Sequence, residues 1–455
     1  MSGTTYWTLR FWFHEPDNSS DDLTLILNHV AAGKVPIALV PLFTAGLGIA
    51  IPKNDKGDLR PIVIGHVLLR LIGSLALKLL SPSVQKYFLQ PSALQFGVGV
   101  SGGCEIMVAA ISAHLERFPQ HIDVAADAKN AFNTWCRSQL WTTLHRNFPS
   151  LYAFVKLVYG ASSDIIFFEP DAGASAVPNS VGSRQGCSLG SFLYCLAIHP
   201  LLVQMQEEYP ELLVVAFCDD VHFVGDPAKA AEAYKRWAYL YSRVLQGELR
   251  DDKGIAYSPT LDAELLYRLG LPVSMPVNNE GAVTDEIGVR VLGAPVGNLS
   301  FKQKICSDII SKIESDMNVI GRMPSLQSQH LLTTKSVIHR INHLLRCIPG
   351  GEFDLYGVLG ERYDSAILSV VRRITRCREL PELARCIAQL PLSEGGLGYR
   401  SWSSVADVAF VASYVNSAYN FPILFPSRPY LAQSVPDLRR ILSENIGSQS
   451  LSQHA

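Results

Sequence analysis

Paired cysteines are missing from this 455-residue sequence. Its nine cysteines form no CxxC pair and no regular framework. That excludes a disulfide scaffold and reads as reduced thiols in an intracellular protein. Strong charge of either sign is missing too: 39 Lys and Arg stand against 41 Asp and Glu, a net charge of −2. Such a balance does not advertise a nucleic-acid surface, although local distribution matters more than the sum. No internal repeat or low-complexity tract is visible, which sets solenoids aside. The opening stretch, MSGTTYWTLRFWFHEPDNSS, lacks a basic region followed by an apolar core. A nuclear or cytoplasmic location is therefore expected rather than secretion. Residues 35–52 carry no charge, but Pro36, Pro41, Gly46, Gly48 and Pro52 interrupt them. A membrane helix needs about 20 unbroken apolar residues. A buried turn and strand is expected there, and no membrane partner.

What is present is apolar bulk. Hydrophobic residues make up 48% of the chain, enough for a large core and, at this length, about three domains or subdomains. Helical spacing is read over residues 17–32, with Asp17, Asn18 and Ser19 as caps, and over 62–80, 103–117, 137–147, 151–158, 188–207 and 227–247. Alternation predicts strands near 122–126 and 164–168, and a strand, tight turn and strand across 214–225. Beyond residue 300 the pattern turns helical, over 301–319, 326–347 and 361–378. Residues 301–400 hold 14 Lys and Arg against 10 Asp and Glu. That excess suits either a solvated face or a surface that meets phosphates. The tail after about residue 440 is polar and expected to be loose.

The stretch VVAFCDDVHFVG (214–225) sets Asp219 beside Asp220 in an apolar run. Burying adjacent unpaired carboxylates is costly. Either they sit on an exposed turn or a cation faces them. Asp127 ends another expected strand about ninety residues earlier. Three carboxylates brought together resist ionisation. Mg²⁺ relieves them, because it takes oxygen ligands, keeps waters and shares phosphates with a substrate.

The ordered set of motifs resembles the reverse transcriptases, above all those of non-LTR retroelements. DAKNAFNTWCR (127–137) is similar to their first palm motif, an Asp followed five residues later by an aromatic. SRQGCSLGSFLY (183–194) resembles their Gln-Gly motif, and FCDD (217–220) their aromatic-x-Asp-Asp hairpin. IPKNDKGDLRPIVIGHVLLRLIG (51–73) looks like the fingers segment, and LQFGVGVSGGCE (94–105) like a Gly-rich approach to the palm. DDKGIAYSP (251–259), VRVLGAPVG (289–297) and LPLSEGGLGYRSW (390–402) fall where later motifs belong. The set covers roughly residues 35–410, in order.

The resemblance implies an α+β right-hand polymerase with an antiparallel-sheet palm, fingers and a helical thumb. Its divisions would be residues 1–118 (N-terminal segment and fingers), 119–300 (palm, with a fingers insertion near 145–182), 301–400 (thumb) and 401–455 (C-terminal extension). It implies RNA-directed DNA polymerase activity with two Mg²⁺ ions, Mn²⁺ being a substitute. Asp127, Asp219, Asp220 and the carbonyl of Ala128 match the metal ligands, and Lys253 a general acid for the leaving pyrophosphate. Lys53 and Arg60 match the residues that grip the triphosphate, with Lys56 competing for the role of Lys53. Phe132 matches the gate beneath the sugar. Gln185 and Gly186 match the loop beside the incoming nucleotide, with Arg184 an extra cation nearby. Asn130, Asn133 and Arg137 fit the retroelement form of the first motif. Asp123 shares the strand parity of Asp127 but lacks the aromatic spacing. Cys218 departs from the commoner Ala or Met.

The implied partners are an RNA template, a DNA or RNA primer, deoxynucleoside triphosphates, and a partner chain for endonuclease activity. Two other readings compete: a catalytically inactive, domesticated RNA-binding or assembly protein, and an RNA-directed RNA polymerase. Phe132 argues against the last. His339, His343 and Cys347 have a spacing that can bind zinc, but no fourth ligand is apparent, so packing or surface is expected instead.

Overall fold

Alternating apolar residues become strands, and the longer apolar runs become helices. The computed structural model describes residues 19–53, 57–169, 173–261, 263–277, 286–348 and 357–433. Its strands are β1 (Gly46–Pro52), β2 (Leu59–Gly65), β3 (Ile122–Ala126), β4 (Ser163–Glu169), β5 (Gly173–Asn179), β6 (Leu213–Phe217), β7 (Asp220–Gly225), β8 (Ile255–Tyr257), β9 (Gly288–Val291) and β10 (Ala294–Gly297). They form sheets of order β2-β1-β4-β5, β6-β7-β3-β8 and β10-β9 among long helices, an α+β architecture. The described chain divides into two units.

The first unit comprises residues 1–101, 125–223 and 231–254. Its outer sheet is two antiparallel hairpins joined by a parallel step from β1 to β4, with Gly46 opposite Gly65 and Ser163 opposite Asn179. The helix Gly190–Glu208 is apolar all round, with Phe192 through Ile198 buried. Such a helix belongs inside a core. The helix Val67–Leu89 has the length and mean hydropathy (1.6) of a membrane-crossing segment. It nevertheless carries Arg70, Lys78 and Lys86. It also seats Gly73 so closely that an added Cβ would lie 2.3 Å from Ser188 Oγ. Its start is capped by His66, whose Nδ1 accepts from the Leu68 amide at 3.2 Å.

The second unit comprises residues 102–124, 224–230 and 255–455. Its core runs from Cys306 to Ala406, with Ile310, Ile313, Met317, Val370 and Tyr399 almost fully buried. Three local devices end or start its helices. Asn298 Oδ1 accepts from the Phe301 amide at 3.0 Å, Ser325 Oγ from Ser328 at 3.2 Å, and Asp364 Oδ1 from Trp402 at 2.7 Å. Each satisfies an amide that the first helical turn leaves open.

Several expectations shift. The run expected as a helix from residue 62 begins as β2, because β1 pairs with it through Gly65; the helix starts at Val67. Residues 35–52 are buried only at Thr44, Gly46 and Gly48. They form a 3₁₀ turn, the short helix Val40–Thr44 and β1, with Ile37 90% and Leu42 69% exposed. The helix expected over 326–347 is three pieces, Leu326–Lys335, Val337–His339 and Asn342–Cys347, separated by Ser336 and Ile341. The helices Glu382–Gln389 and Trp402–Leu424 were not anticipated. Asp17, Asn18, Lys56 and the tail after residue 440 lie outside the described residues.

Candidate active site

Asp127 stands one residue past the end of β3, and Asp219 occupies the turn between β6 and β7. The turn is tight because Cys218 adopts φ +55. Asp127 is further fixed by a short antiparallel bridge between Ala128 and Leu249. In it the Arg250 amide donates to the Asp127 carbonyl and the Lys129 amide to the Glu248 carbonyl, both at 2.8 Å. This lays residues 248–253 beside the first motif. Asp127 and Asp219 then line one open cleft of about 590 Å³.

The two carboxylates feel each other. Loss of water raises Asp219 to about 6, helped by the charges of Asp220 and Asp127 and opposed by Lys53. Burial also raises Asp127, while Lys253, Lys53 and Arg250 pull it back. Loss of water around its carboxyl raises Asp220 too, with His222 opposing and Asp127 adding. Asp220 is the first residue of β7 and is exposed at the surface. It is not among the residues that line the cleft.

Six basic side chains line this cleft, Lys53, Arg60, Lys129, Arg184, Arg250 and Lys253, against two acids. A chain of net charge −2 therefore concentrates positive charge here. That is the local distribution an anionic substrate responds to. Lys53 and Arg60 come from the β1–β2 hairpin and are exposed. Lys253 sits in a turn whose amide donates to the Arg250 carbonyl at 2.9 Å. Arg250 was missed in the sequence. It pairs with Asp252 at 2.7 Å and lies close enough to Asp127 to offset its charge. Only the bridge to Ala128 reveals it, and a non-local bridge leaves no periodicity to read.

Phe132 is half-buried on the cleft floor, its ring 5.1 Å from that of Tyr194. Its carbonyl accepts from the Ser183 amide at 2.6 Å, which ties the first motif to the Gln-Gly loop. Gln185 lines the cleft, and its Oε1 is buried without a donor. An acceptor left open in a cleft is costly unless a ligand serves it. Gly186 lines the same cleft. At φ +102, an added Cβ would lie 2.6 Å from the Val63 carbonyl. The close approach it permits is therefore to β2, where the Val63 amide donates to the Gln185 carbonyl at 2.7 Å.

Arg184, the extra cation expected nearby, lines the cleft as well. It is buried, and its guanidinium donates to the carbonyls of Thr44 (2.7 Å) and Val158 (3.2 Å). It holds the wall of the cleft. Arg137 does the same below it, donating to Gly182, Tyr159 and Val181 carbonyls and to Asn179 Oδ1 at 2.7–3.1 Å. Both guanidiniums stack on the Tyr159 ring, at 5.0 and 5.2 Å from its centre. Burial lowers Arg137 only to about 10, so it stays charged at neutral pH. Arg137→Met would strand several buried carbonyls, at about 1–3 kcal/mol each before relaxation. A loss of order 4 kcal/mol is expected in urea denaturation. Arg137→Lys should recover little, since one ammonium cannot span the same acceptors. A loss under about 1 kcal/mol for either variant would contradict this role.

Donor chemistry decides whether a divalent cation fits. No group of three or more His, Cys, Asp or Glu side chains among the described residues is placed to hold an ion alone. Asp127 and Asp219 nevertheless offer two hard oxygen ligands in an open cleft. Mg²⁺ is commonly bound by one or two carboxylates plus waters and substrate phosphates. The residues fit that mode, and they do not fit an all-protein cage. His343 and Cys347 share the helix Asn342–Cys347, His339 lies in the preceding 3₁₀ turn, and Cys104 Sγ stands 4.0 Å from His343 Nε2. Cys347 Sγ lies 3.9 Å from His343 Nδ1, but His343 Nε2 faces the Leu292 carbonyl at 3.0 Å. Asp123 is fully buried in β3 and takes no place in the cleft lining.

Two carboxylates, a basic hairpin and a Gln-Gly loop thus surround one cleft. The chain matches, over residues 51–238, the family described as Reverse transcriptase (RNA-dependent DNA polymerase). It is 24% identical over 380 residues to the Retrotransposable element SLACS 132 kDa protein of Trypanosoma brucei gambiense. That alignment covers 79% of this chain and 29% of the relative, so the chain spans under a third of the relative's length. Among solved structures it is similar to telomerase from Candida albicans in complex with a TWJ fragment of telomeric RNA. There the TM-score is 0.46 at 11% identity, over 96% of this chain and 70% of that one. Apo telomerase from Candida tropicalis gives a TM-score of 0.41 at 10% identity, over 92% and 74% of the two chains.

Proposed function

We propose that this chain is an RNA-directed DNA polymerase of the non-LTR retroelement kind. It adds deoxynucleotides to a primer 3′-hydroxyl on an RNA template and releases pyrophosphate. One observation carries the reading: Asp127 and Asp219, distant in sequence, share a cleft whose other charged residues are all basic. Two Mg²⁺ ions, when bound, would polarise the attacking hydroxyl and steady the departing phosphates.

The chain's own residues supply the rest. Asp127 and Asp219 hold the metal, with the Ala128 carbonyl as a further oxygen and Asp220 adding negative charge beside them. Lys53 and Arg60 reach the triphosphate from the hairpin, the Arg as a planar clamp and the Lys as a point charge. Lys253 donates a proton to the leaving pyrophosphate, and Arg250 stands beside it as a further cation. Gln185 offers its open acceptor to the sugar or template. Phe132 bars a 2′-hydroxyl.

Primer extension on an RNA template tests this. The expected result is deoxynucleotide incorporation that requires Mg²⁺ or Mn²⁺. Tight RNA binding with no incorporation under either metal would favour the inactive RNA-binding reading. A preference for ribonucleotides would favour an RNA polymerase.

A further inference from the structure

The Gly-rich stretch 94–105 has no part in the chemistry above, yet it runs along β6. The Phe96 amide donates to the Ala216 carbonyl and the Ala216 amide to the Leu94 carbonyl, both at 2.7 Å. Gln95 pairs with Ala216 in parallel register and is fully buried. Its carboxamide is spent on the catalytic turn. Oε1 accepts from the Cys218 amide at 2.7 Å and from Gly97 at 3.0 Å, while Nε2 donates to the Cys218 carbonyl at 3.2 Å.

Cys218 immediately precedes Asp219, and it holds the left-handed φ of +55. A non-glycine residue pays about 1 kcal/mol or more for that conformation and keeps it only where its surroundings enforce it. The Gln95 amide is that enforcement: it takes both backbone polar groups of Cys218, as a neighbouring strand would. Gly97 completes the seat. A Cβ there would lie 2.5 Å from both the amide nitrogen and the sulfur of Cys218.

We propose that Gln95 is a positioning residue for Asp219. It fixes the peptide that carries the metal-binding carboxylate, and so sets divalent-cation affinity without touching cation or substrate. This rests on the polymerase reading of Asp219. The test is Mn²⁺ binding to the full chain without substrate, read as free Mn²⁺ by electron paramagnetic resonance, beside primer extension.

Gln95→Met keeps length and burial but loses all three hydrogen bonds. It is expected to weaken Mn²⁺ binding about tenfold or more, and to raise the Mn²⁺ concentration needed for half-maximal extension by a similar factor. A purely structural role would lower the melting temperature and the active fraction but leave both metal constants unmoved. Gly97→Ala, which presses on the same turn from its other side, should reproduce the metal effect; it carries the test if Gln95→Met does not fold. Wild-type Mn²⁺ affinity in a folded variant overturns the proposal alone. A wild-type chain that neither binds Mn²⁺ nor extends a primer overturns the polymerase reading, and the proposal with it.

Discussion

Asp219→Asn should reduce nucleotide incorporation by a factor of order a thousand, and yet leave the metal-free protein more stable than the wild type. The first half follows from losing a charged oxygen ligand, because charge stabilisation by a bound cation is worth several kcal/mol and each 1.36 kcal/mol is a factor of ten in rate. The second half follows from the elevated carboxyl of Asp219, at about 6 against an ordinary 3.8. Between those values the folded chain holds a proton that the unfolded chain has released. Stability of the metal-free protein therefore falls as pH rises from about 4 to about 6, and the deficit persists above. Two pH units correspond to at most ~3 kcal/mol. Asparagine never ionises and escapes that cost.

Thermal melts in a chelator should accordingly show the variant a few degrees above wild type at pH 7.5, with the gap closing toward pH 4. Added Mg²⁺ should raise the wild type and not the variant. Because protons compete with the cation for Asp219, the Mg²⁺ concentration for half-maximal extension should fall as pH rises through about 6. A variant that melts below wild type in chelator at pH 7.5 would contradict the repulsion argument. Retained incorporation would contradict the ligand assignment.

The parts of this site legible in the sequence were those with local signatures. The apolar run broken by Asp219 and Asp220 announced a hairpin tip, since no strand interior accepts such a pair uncompensated. Asp127 was found because a short alternating strand ends on it and Phe132 follows at a fixed interval. The resemblance supplied Lys53, Arg60, Gln185 and Lys253, all of which do line the cleft with Asp127 and Asp219. Local spacing could not tell that Asp219 belongs to that lining and its neighbour Asp220 does not. Nor could it show that Arg184 is spent on the carbonyls of Thr44 and Val158. A cation's partners lie far along the chain and leave no trace beside it. Gln95 and Arg250 act through contacts with residues more than a hundred positions away. Nor could local spacing show that Gly186 seats the loop against the Val63 carbonyl. In the fold, β1–β2 pairing overrode the apparent helix at residue 62, a tertiary effect that periodicity alone does not contain.

Phe132→Ala should admit ribonucleotides, with the preference for deoxynucleotides falling by about a hundredfold, the range that a steric pocket contact of this size commands. The geometry makes the expectation specific. Asn130, at φ +50, turns the chain sharply after Asp127, so the ring of Phe132 arrives on the same cleft as the carboxylate. Its backbone cannot drift, because its carbonyl accepts from Ser183 at 2.6 Å. Its ring cannot sink, because Tyr194 lies beneath it, fully buried, with its hydroxyl 3.2 Å from that of Tyr241. Removing the ring therefore leaves a hole that the floor does not refill, which is where a 2′-hydroxyl would sit. The half-buried ring should cost the fold about 1–2 kcal/mol, less than a fully buried phenylalanine. Deoxynucleotide kcat/KM should change by only a few-fold. Phe132→Tyr retains the bulk and should retain the discrimination. The ratio of kcat/KM for deoxynucleotide over ribonucleotide, measured on one RNA template, reads the effect directly. An unchanged ratio in the alanine variant would remove Phe132 from the gate and return it to the core, where its packing against Tyr194 would be its whole function.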